Sequence, residues 1–143
     1  MDATGSQGLI GLITRLSKAI HRLSTEDMLG MSLRGFVVLG YVQSRGGTAT
    51  QQEIGDALCL DANSVVLLLH ELEDASFVVR QRDPADRRRH IISVTSAGEA
   101  AFARAEEGRE GIEDQLLAAL SPEERAQLRD LIAKALEGVV APA

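Results

Sequence analysis

The chain is short of several residue types that would narrow its function at once. Of its 143 residues one is cysteine, three are phenylalanine, one is tyrosine and none is tryptophan. A lone Cys59 cannot close an intrachain disulfide, so a disulfide-stapled secreted scaffold is excluded. Four aromatics are too few for the stacking platform that holds single-stranded nucleic acids. Leu, Val, Ile and Ala must fill the core, which favours helices. No run of about 18 apolar residues occurs, so no membrane span is expected. The opening MDATGSQGLIG lacks a basic stretch followed by a long apolar one, so no secretory signal is expected. Together these features predict a cytoplasmic protein without a membrane partner. No nucleophile elbow, phosphate loop or Gly-x-Gly-x-x-Gly occurs. His21, His70 and His90 are scattered, and no His, Cys or carboxylate set has metal spacing. Paired acids such as Glu106-Glu107 and Glu123-Glu124 read as solvated helix surface. The expectation is no catalytic residue, no metal, no cofactor and no enzyme.

Positive charge is scarce too. Fifteen Lys and Arg face 21 Asp and Glu, a net charge of −6. For a nucleic-acid ligand this is awkward, because affinity rests largely on neutralising phosphates. The distribution decides more than the sum. Between Arg80 and His90 stand five arginines and two aspartates, a third of all basic residues in one short stretch.

What is present is a helical chain with one organising stretch. The length suits a single domain over residues 1–143, and the hydrophobic and charged fractions, 45% and 25%, are ordinary for a globular chain. Residues 1–7 are small and polar and are expected to fray. Apolar residues at 9, 12, 13, 16, 20 and 23 predict a helix over about 8–24. A polar break follows at Ser24–Asp27. Leu33, Phe36, Val37, Leu39, Gly40 and Tyr41 predict a second helix over about 32–44, ended by Gly46-Gly47. Thr50-Gln51-Gln52-Glu53 has the form of a capping box and starts a short helix running to about Leu58. Asp61 caps the next, over about 62–75. Val65, Leu68, Leu69 and Leu72 form its core face. Two β-rich runs, Phe77–Arg80 and His90–Val94, flank Asp83-Pro84-Ala85-Asp86, which is turn chemistry, so a hairpin is expected. Ser96 with Glu99 caps a long helix over about 96–119. Ser121-Pro122-Glu123-Glu124 opens a last one, with an apolar stripe at 128, 131, 132, 135, 136 and 139.

Helix, sharp turn, helix and arginine-tipped hairpin make a winged helix-turn-helix. The expected fold is mainly α with a small β-hairpin: a DNA-binding lobe over about 32–95, with N- and C-terminal helices (about 8–24 and 96–140) that pair two copies of the chain. Cyclic dimers are the commonest assembly for such unpartnered apolar stripes. The second helix of the motif would enter a major groove, presenting Asn63, Ser64, Val66, Leu67 and His70, with Gln51 and Gln52 on the helix before it. A hairpin tip is narrow enough for the minor groove, whose negative potential suits the tip candidates Arg87, Arg88 and Arg89, with Arg82 a further DNA-binding candidate. The bland alternative is a solvated arginine-rich turn.

Three segments carry a resemblance to the MarR (multiple antibiotic resistance) transcription regulators: TQQEIGDAL from Thr50, LDANSVVLLLHELEDASFV from Leu60 and RQRDPADRRRHIISVTSAG from Arg80. In the last, Arg82, Asp83, Asp86, Arg87, Arg88, Val94, Thr95 and Gly98 fall on the family pattern. The resemblance implies a homodimeric repressor on a pseudo-palindromic operator in double-stranded DNA, released by a small aromatic or anionic effector. It implies that Asp86 holds the wing and orients Arg88. It also implies an effector pocket where the dimer helices meet the reader lobes, near Arg15, His21 and Arg34. The recognition helix departs from the family: Val66, Leu67 and Glu71 stand where Thr, Arg and a basic residue are common. From Asp61 to Asp74 it has four acids and no Lys or Arg. Two readings stay open. In one, Val66 and Leu67 meet thymine methyls while the wing supplies affinity. In the other, the chain is a winged-helix protein–protein module with weak or no specific DNA binding.

Overall fold

The structure, a computed structural model, describes residues 7–139. The expected fraying of residues 1–6 lies outside the described residues, and the last helix, expected to reach about residue 140, ends at Glu137. Among the described residues seven helices and three strands follow one another: α1 (Leu9–Leu23), α2 (Glu26–Leu29), α3 (Leu33–Ser44), β1 (Thr48–Thr50), α4 (Gln51–Ala57), α5 (Ala62–Asp74), β2 (Val78–Arg82), β3 (His90–Val94), α6 (Ser96–Leu116) and α7 (Pro122–Glu137).

Local chemistry sets most boundaries. Ser32, Thr50, Asp61, Thr95 and Ser121 each accept a hydrogen bond from the amide three residues on, satisfying one of the unpaired donors at a helix start. Only Ser121 with Glu124 closes the full reciprocal box, with Pro122 in the first turn. At α4 the expected box is half made. The Thr50 hydroxyl donates to Glu53 Oε1 at 3.1 Å, while Thr50 itself ends a strand paired with Ile91. The cap of α6 is Thr95 rather than Ser96. Its hydroxyl donates to the Ser76 carbonyl at 2.6 Å and accepts from the Gly98 amide at 3.0 Å, which ties the helix to the end of α5.

Two elements differ from the sequence expectation. The supposed polar break contains the single-turn α2, capped by Thr25. The supposed hairpin is a three-stranded antiparallel sheet in the order β1-β3-β2, with Ala49 opposite Ile92 and Arg80 opposite the other side of Ile92. Strand β1 is three residues of Thr and Ala after two glycines, too short for an alternation to be read. The core lies between this sheet and α3–α6, with Val38, Leu39, Val42, Ile54, Leu69 and Ile92 almost wholly buried. Val65, Leu68, Leu69 and Leu72 are buried as expected, whereas Val37 is exposed and α3 buries Val38 and Val42 instead. Phe36 stacks on Phe102 at 5.2 Å, one of the few aromatic contacts this composition allows.

Helix α6 packs closely because it has glycine where backbone meets it. A Cβ on Gly98 would stand 2.1 Å from the Phe77 carbonyl oxygen, and one on Gly108 2.1 Å from that of Met28. By contrast, α1 and α7 bury no residue. Leu9, Ile10 and Ile13 on α1 and Leu131, Ile132 and Leu136 on α7 are exposed in the single chain. No helix among the described residues is long and apolar enough to cross a membrane.

These packing distances yield a paired prediction. Gly108→Ala forces α6 off the Met28 carbonyl and is expected to destabilise the fold by about 1–3 kcal/mol. Gly111→Ala, three residues on, meets nothing closer than the flexible Met28 Cε at 3.7 Å. It should stabilise by up to about 1 kcal/mol through helix propensity. Urea unfolding of both variants checks the opposite signs.

Candidate nucleic-acid interface

The recognition helix α5 takes its orientation from α4 and the turn between them. Cys59 in that turn adopts φ 55°, a left-handed backbone, and the Leu60 amide returns to the Gly55 carbonyl at 2.9 Å. A Cβ on Gly55 would already touch Val65 and the Leu60 carbonyl, so α4 and α5 meet with little room to spare. Cys59 itself is exposed. Asp61 then caps α5. The Ser64 amide and the Ser64 hydroxyl donate to its two carboxylate oxygens at 2.8 and 3.0 Å, which holds its carboxyl below the usual range.

Asn63, Leu67 and His70 are exposed along one face of α5, and Ser64 and Val66 are half-buried. Leu67 is 70% exposed, which is unusual for a large apolar side chain in the middle of a helix. The acids of this helix are drawn aside. Glu71 accepts from the Ser32 hydroxyl at 2.9 Å, and Glu73 pairs with Arg80 at 3.6 Å. Together with the capping Asp61, this leaves Asp74, at the far end of the helix.

The wing is a built structure rather than a loose turn. Its backbone closes through the Asp83 amide to the Arg89 carbonyl and the Arg89 amide to the Asp86 carbonyl, both 2.9 Å. Asp83 accepts from the Ala85 amide at 2.9 Å. Asp86 accepts from the Arg88 amide and Nε, both 3.1 Å, and from its Nη2 at 3.3 Å. These bonds, first the side chain and then the backbone of Arg88, with the nearby Arg89 charge, hold the Asp86 carboxyl below the usual range. Arg88 is oriented in this way while its side chain stays 91% exposed. Arg87 is exposed at the tip, and Arg89 lies 3.7 Å from Asp83.

Arg82 differs from the expectation in part. It is exposed, but its Nη1 donates to the Arg87 carbonyl at 2.7 Å, so in this structure it clamps the wing. Gln51 is likewise engaged, accepting from Arg80 Nη1 at 3.4 Å, while Gln52 is exposed. A cleft of about 280 Å³ joins the two halves of the site. Gln51, Gln52 and Ala62 line one side of it, and Arg88, Arg89 and His90 the other. Sequence reasoning missed Arg80 and Asp83 as supports. The signal for Arg80 was its place in a β-rich run directly before the tip. Asp83 falls within the quoted motif, but its role follows only from the closed turn.

The candidate effector residues do not form one site. Arg15 bonds the Gln7 side chain on the exposed face of α1. His21 Nδ1 donates to the Ser17 carbonyl at 2.9 Å, and His21 and Arg34 meet in a shallow cleft that also holds Glu26 and Glu71. That cleft shares Ser24 and Leu33 with an apolar one of about 270 Å³ between α1, α3, α6 and α7. Leu16, Ile20, Phe36, Val37, Leu116 and Leu128 line the latter. Arg109, at its edge, donates to Glu113 at 2.7 Å and Glu106 at 2.9 Å. Burial works against its cation, but Glu113 and then Glu106 outweigh it and raise its pKa.

A paired helix-turn-helix followed by an arginine-tipped sheet defines the class of winged helix-turn-helix proteins. Residues 29–89, a little under half of the chain, match the model of the MarR family. Among curated relatives it is 32% identical over 83 residues to a regulatory protein attributed to the hcr operon of Thauera aromatica. It spans half the length of that protein and 58% of its own. It is 29% identical over 132 residues to YkoM of Bacillus subtilis, described as an uncharacterised HTH-type transcriptional regulator, covering 91% of this chain and 85% of that one. Its fold matches a cysteine-to-serine mutant of MarR from E. coli solved with operator DNA. The TM-score is 0.77 at 24% identity, over 95% of this chain and 99% of the other.

The wing geometry gives a test. Asp86→Ala removes three acceptor contacts at the tip without touching the core, so hydrogen exchange at the Arg88 and Arg89 amides should accelerate at least tenfold while the melting temperature stays unchanged. In the unaltered chain the depressed Asp86 pKa sets the sign with pH. Wing order is complete above the ordinary carboxylate range, about pH 4, and is lost only as pH falls through the lower folded value. Exchange measured against pH, corrected for intrinsic rates, should therefore be flat from 5 to 8.

Proposed function

We propose that the chain is a transcription regulator, a cytoplasmic repressor, that binds a pseudo-palindromic operator in double-stranded DNA as a homodimer and is released by a small-molecule effector. The observation that carries this reading is the wing: arginines held outward by Asp86 and Asp83 across one cleft from the α4–α5 pair. On this reading α5 enters a major groove, with Asn63, Ser64, Val66, Leu67 and His70 toward base edges. Arg87, Arg88 and Arg89 approach the adjacent minor groove, and Gln51, Gln52 and Arg82 lie toward the backbone. The half-sites then lie about one helical turn apart. The rival reading, a protein-docking module, drew its support from the acids of the recognition helix. Capping, Ser32 and Arg80 occupy three of the four.

The exposed apolar residues of α1 and α7 favour a second copy of the chain as their cover. The two adjoining clefts favour an effector with an apolar ring against Phe36 and Val37 and a polar end toward His21 and Arg34. Arg15 does not line either cleft, and its effector role has the weakest support.

Fluorescence anisotropy tests the central claim, with the duplex upstream of the coding sequence titrated at several salt concentrations beside an unrelated duplex. Preference for the upstream duplex with a steep salt slope is expected. Equal, weak binding to both would favour the docking module. Arg88→Ala should weaken binding to every sequence and lower the salt slope by about one per subunit. A second prediction concerns assembly. Leu136→Glu places a charge in the apolar stripe of α7, and sedimentation should show the dimer replaced by a folded monomer with greatly reduced operator affinity.

A further inference from the structure

We infer that α5 reads the 5-methyl groups of pyrimidines, with Leu67 as the residue that sets specificity, so that 5-methylcytosine substitutes for thymine at one step of each half-site. The inference rests on the DNA-binding reading above and goes further than it by naming which chemical feature of the operator is recognised.

The surface that α5 offers has an unusual chemistry. It carries no Lys or Arg, so it lacks the side chains that make the commonest specific contact, the bidentate bond to guanine O6 and N7. The Ser64 hydroxyl donates to Asp61, which leaves it only as an acceptor. Asn63 and His70 remain as donors at either side of Leu67. Leu67 projects where a polar residue would cost nothing, 70% exposed, with half-buried Val66 beside it. In the major groove the apolar feature of an unmodified base edge is the C5-methyl of thymine, and 5-methylcytosine presents the same group at the same place. Of the acids on α5, Glu73 is offset by the Arg80 cation and Glu71 accepts from the Ser32 hydroxyl. Nor does α5 need its own cation, because Arg88 and Arg89 stand across the cleft from its first turn. Phosphate attraction and base reading are thus divided between two elements, and the base-reading one is left apolar.

The test uses the full chain and a random-sequence duplex library. An enriched duplex is resynthesised with deoxyuridine replacing thymine at one step at a time, in both half-sites, which removes only the methyl. Affinity is read by anisotropy. Burial of one methyl corresponds to about fourfold in affinity per half-site, hence more than tenfold for the pair. That loss is expected at one symmetric step. Cytosine at that step, paired with guanine, should bind weakly, and 5-methylcytosine should restore most of the lost affinity. Leu67→Ala, at an exposed position, should melt like the unaltered chain and bind the thymine and deoxyuridine duplexes alike. An enriched duplex bound equally well with and without every methyl, or a Leu67→Ala chain that still discriminates, overturns the inference and leaves the DNA-binding reading standing. Enrichment of no duplex overturns both.

Discussion

Strand β3 is paired on both sides, and the candidate interface depends on that double pairing. On one side β1 runs into Thr50, which ends the strand and caps α4 in the same residue. On the other, β2 carries Arg80, whose guanidinium meets Glu73 of α5 and Gln51 of α4. The buried Ile92 lies opposite Ala49 and Arg80 at the centre of this arrangement. The wing is therefore not an appendage that finds its own place. Its distance from the recognition helix is set by a strand register, and a one-residue slip would turn Ile92 out of the core. Such a slip would also carry His90 and the tip arginines away from the cleft they share with Ala62 and Gln52.

Charge is arranged with the same economy. A net charge of −6 would repel a polyanion if it were spread evenly. Near the reader most carboxylates have local partners: the start of α5 for Asp61, Ser32 for Glu71, Arg80 for Glu73, and the wing for Asp83 and Asp86, while Asp56 lines the cleft itself. Many of the remaining acids lie on α6 and α7, where Glu106 and Glu113 hold Arg109 and Asp114 holds Arg125. What faces outward at the tip is Arg87 and Arg88. Overall charge is thus a poor guide to this protein's ligand, and the local pairing is a better one.

The helices and the tip were legible in the sequence because their signals are local. Caps at Thr50, Asp61 and Ser121, and the spacing of Val65, Leu68, Leu69 and Leu72, act within one or two turns. So does the pairing of Asp86 with Arg88, two residues apart. What was not legible involves distant partners. Strand β1 exists because Ala49 finds Ile92, 43 residues away. The Thr95 cap is chosen over Ser96 because its hydroxyl also reaches the Ser76 carbonyl. Arg82 looked like a free cation, and only the closed turn brings the Arg87 carbonyl within its reach. Arg15, His21 and Arg34 shared a region of the sequence pattern, yet the helix geometry leaves Arg15 apart.

Helix α3 is the element that faces both the clefts and the reader. Leu33, Phe36 and Val37 line the apolar cleft. Ser32 and Gly35, at its start, meet Glu71 and Leu72 of α5, with Gly35 leaving only van der Waals space. A ligand in the cleft that binds two positions of α3 equally well shifts neither reader, however tightly it binds. On the proposed reading, release of DNA by a ligand in this cleft requires one whose fit changes when α3 moves against α5. The Ser32–Glu71 bond is a contact such a movement would have to break or carry along. Gly35 keeps the start of α3 close to α5, since a Cβ there would press on the Leu72 side chain at 3.3 Å.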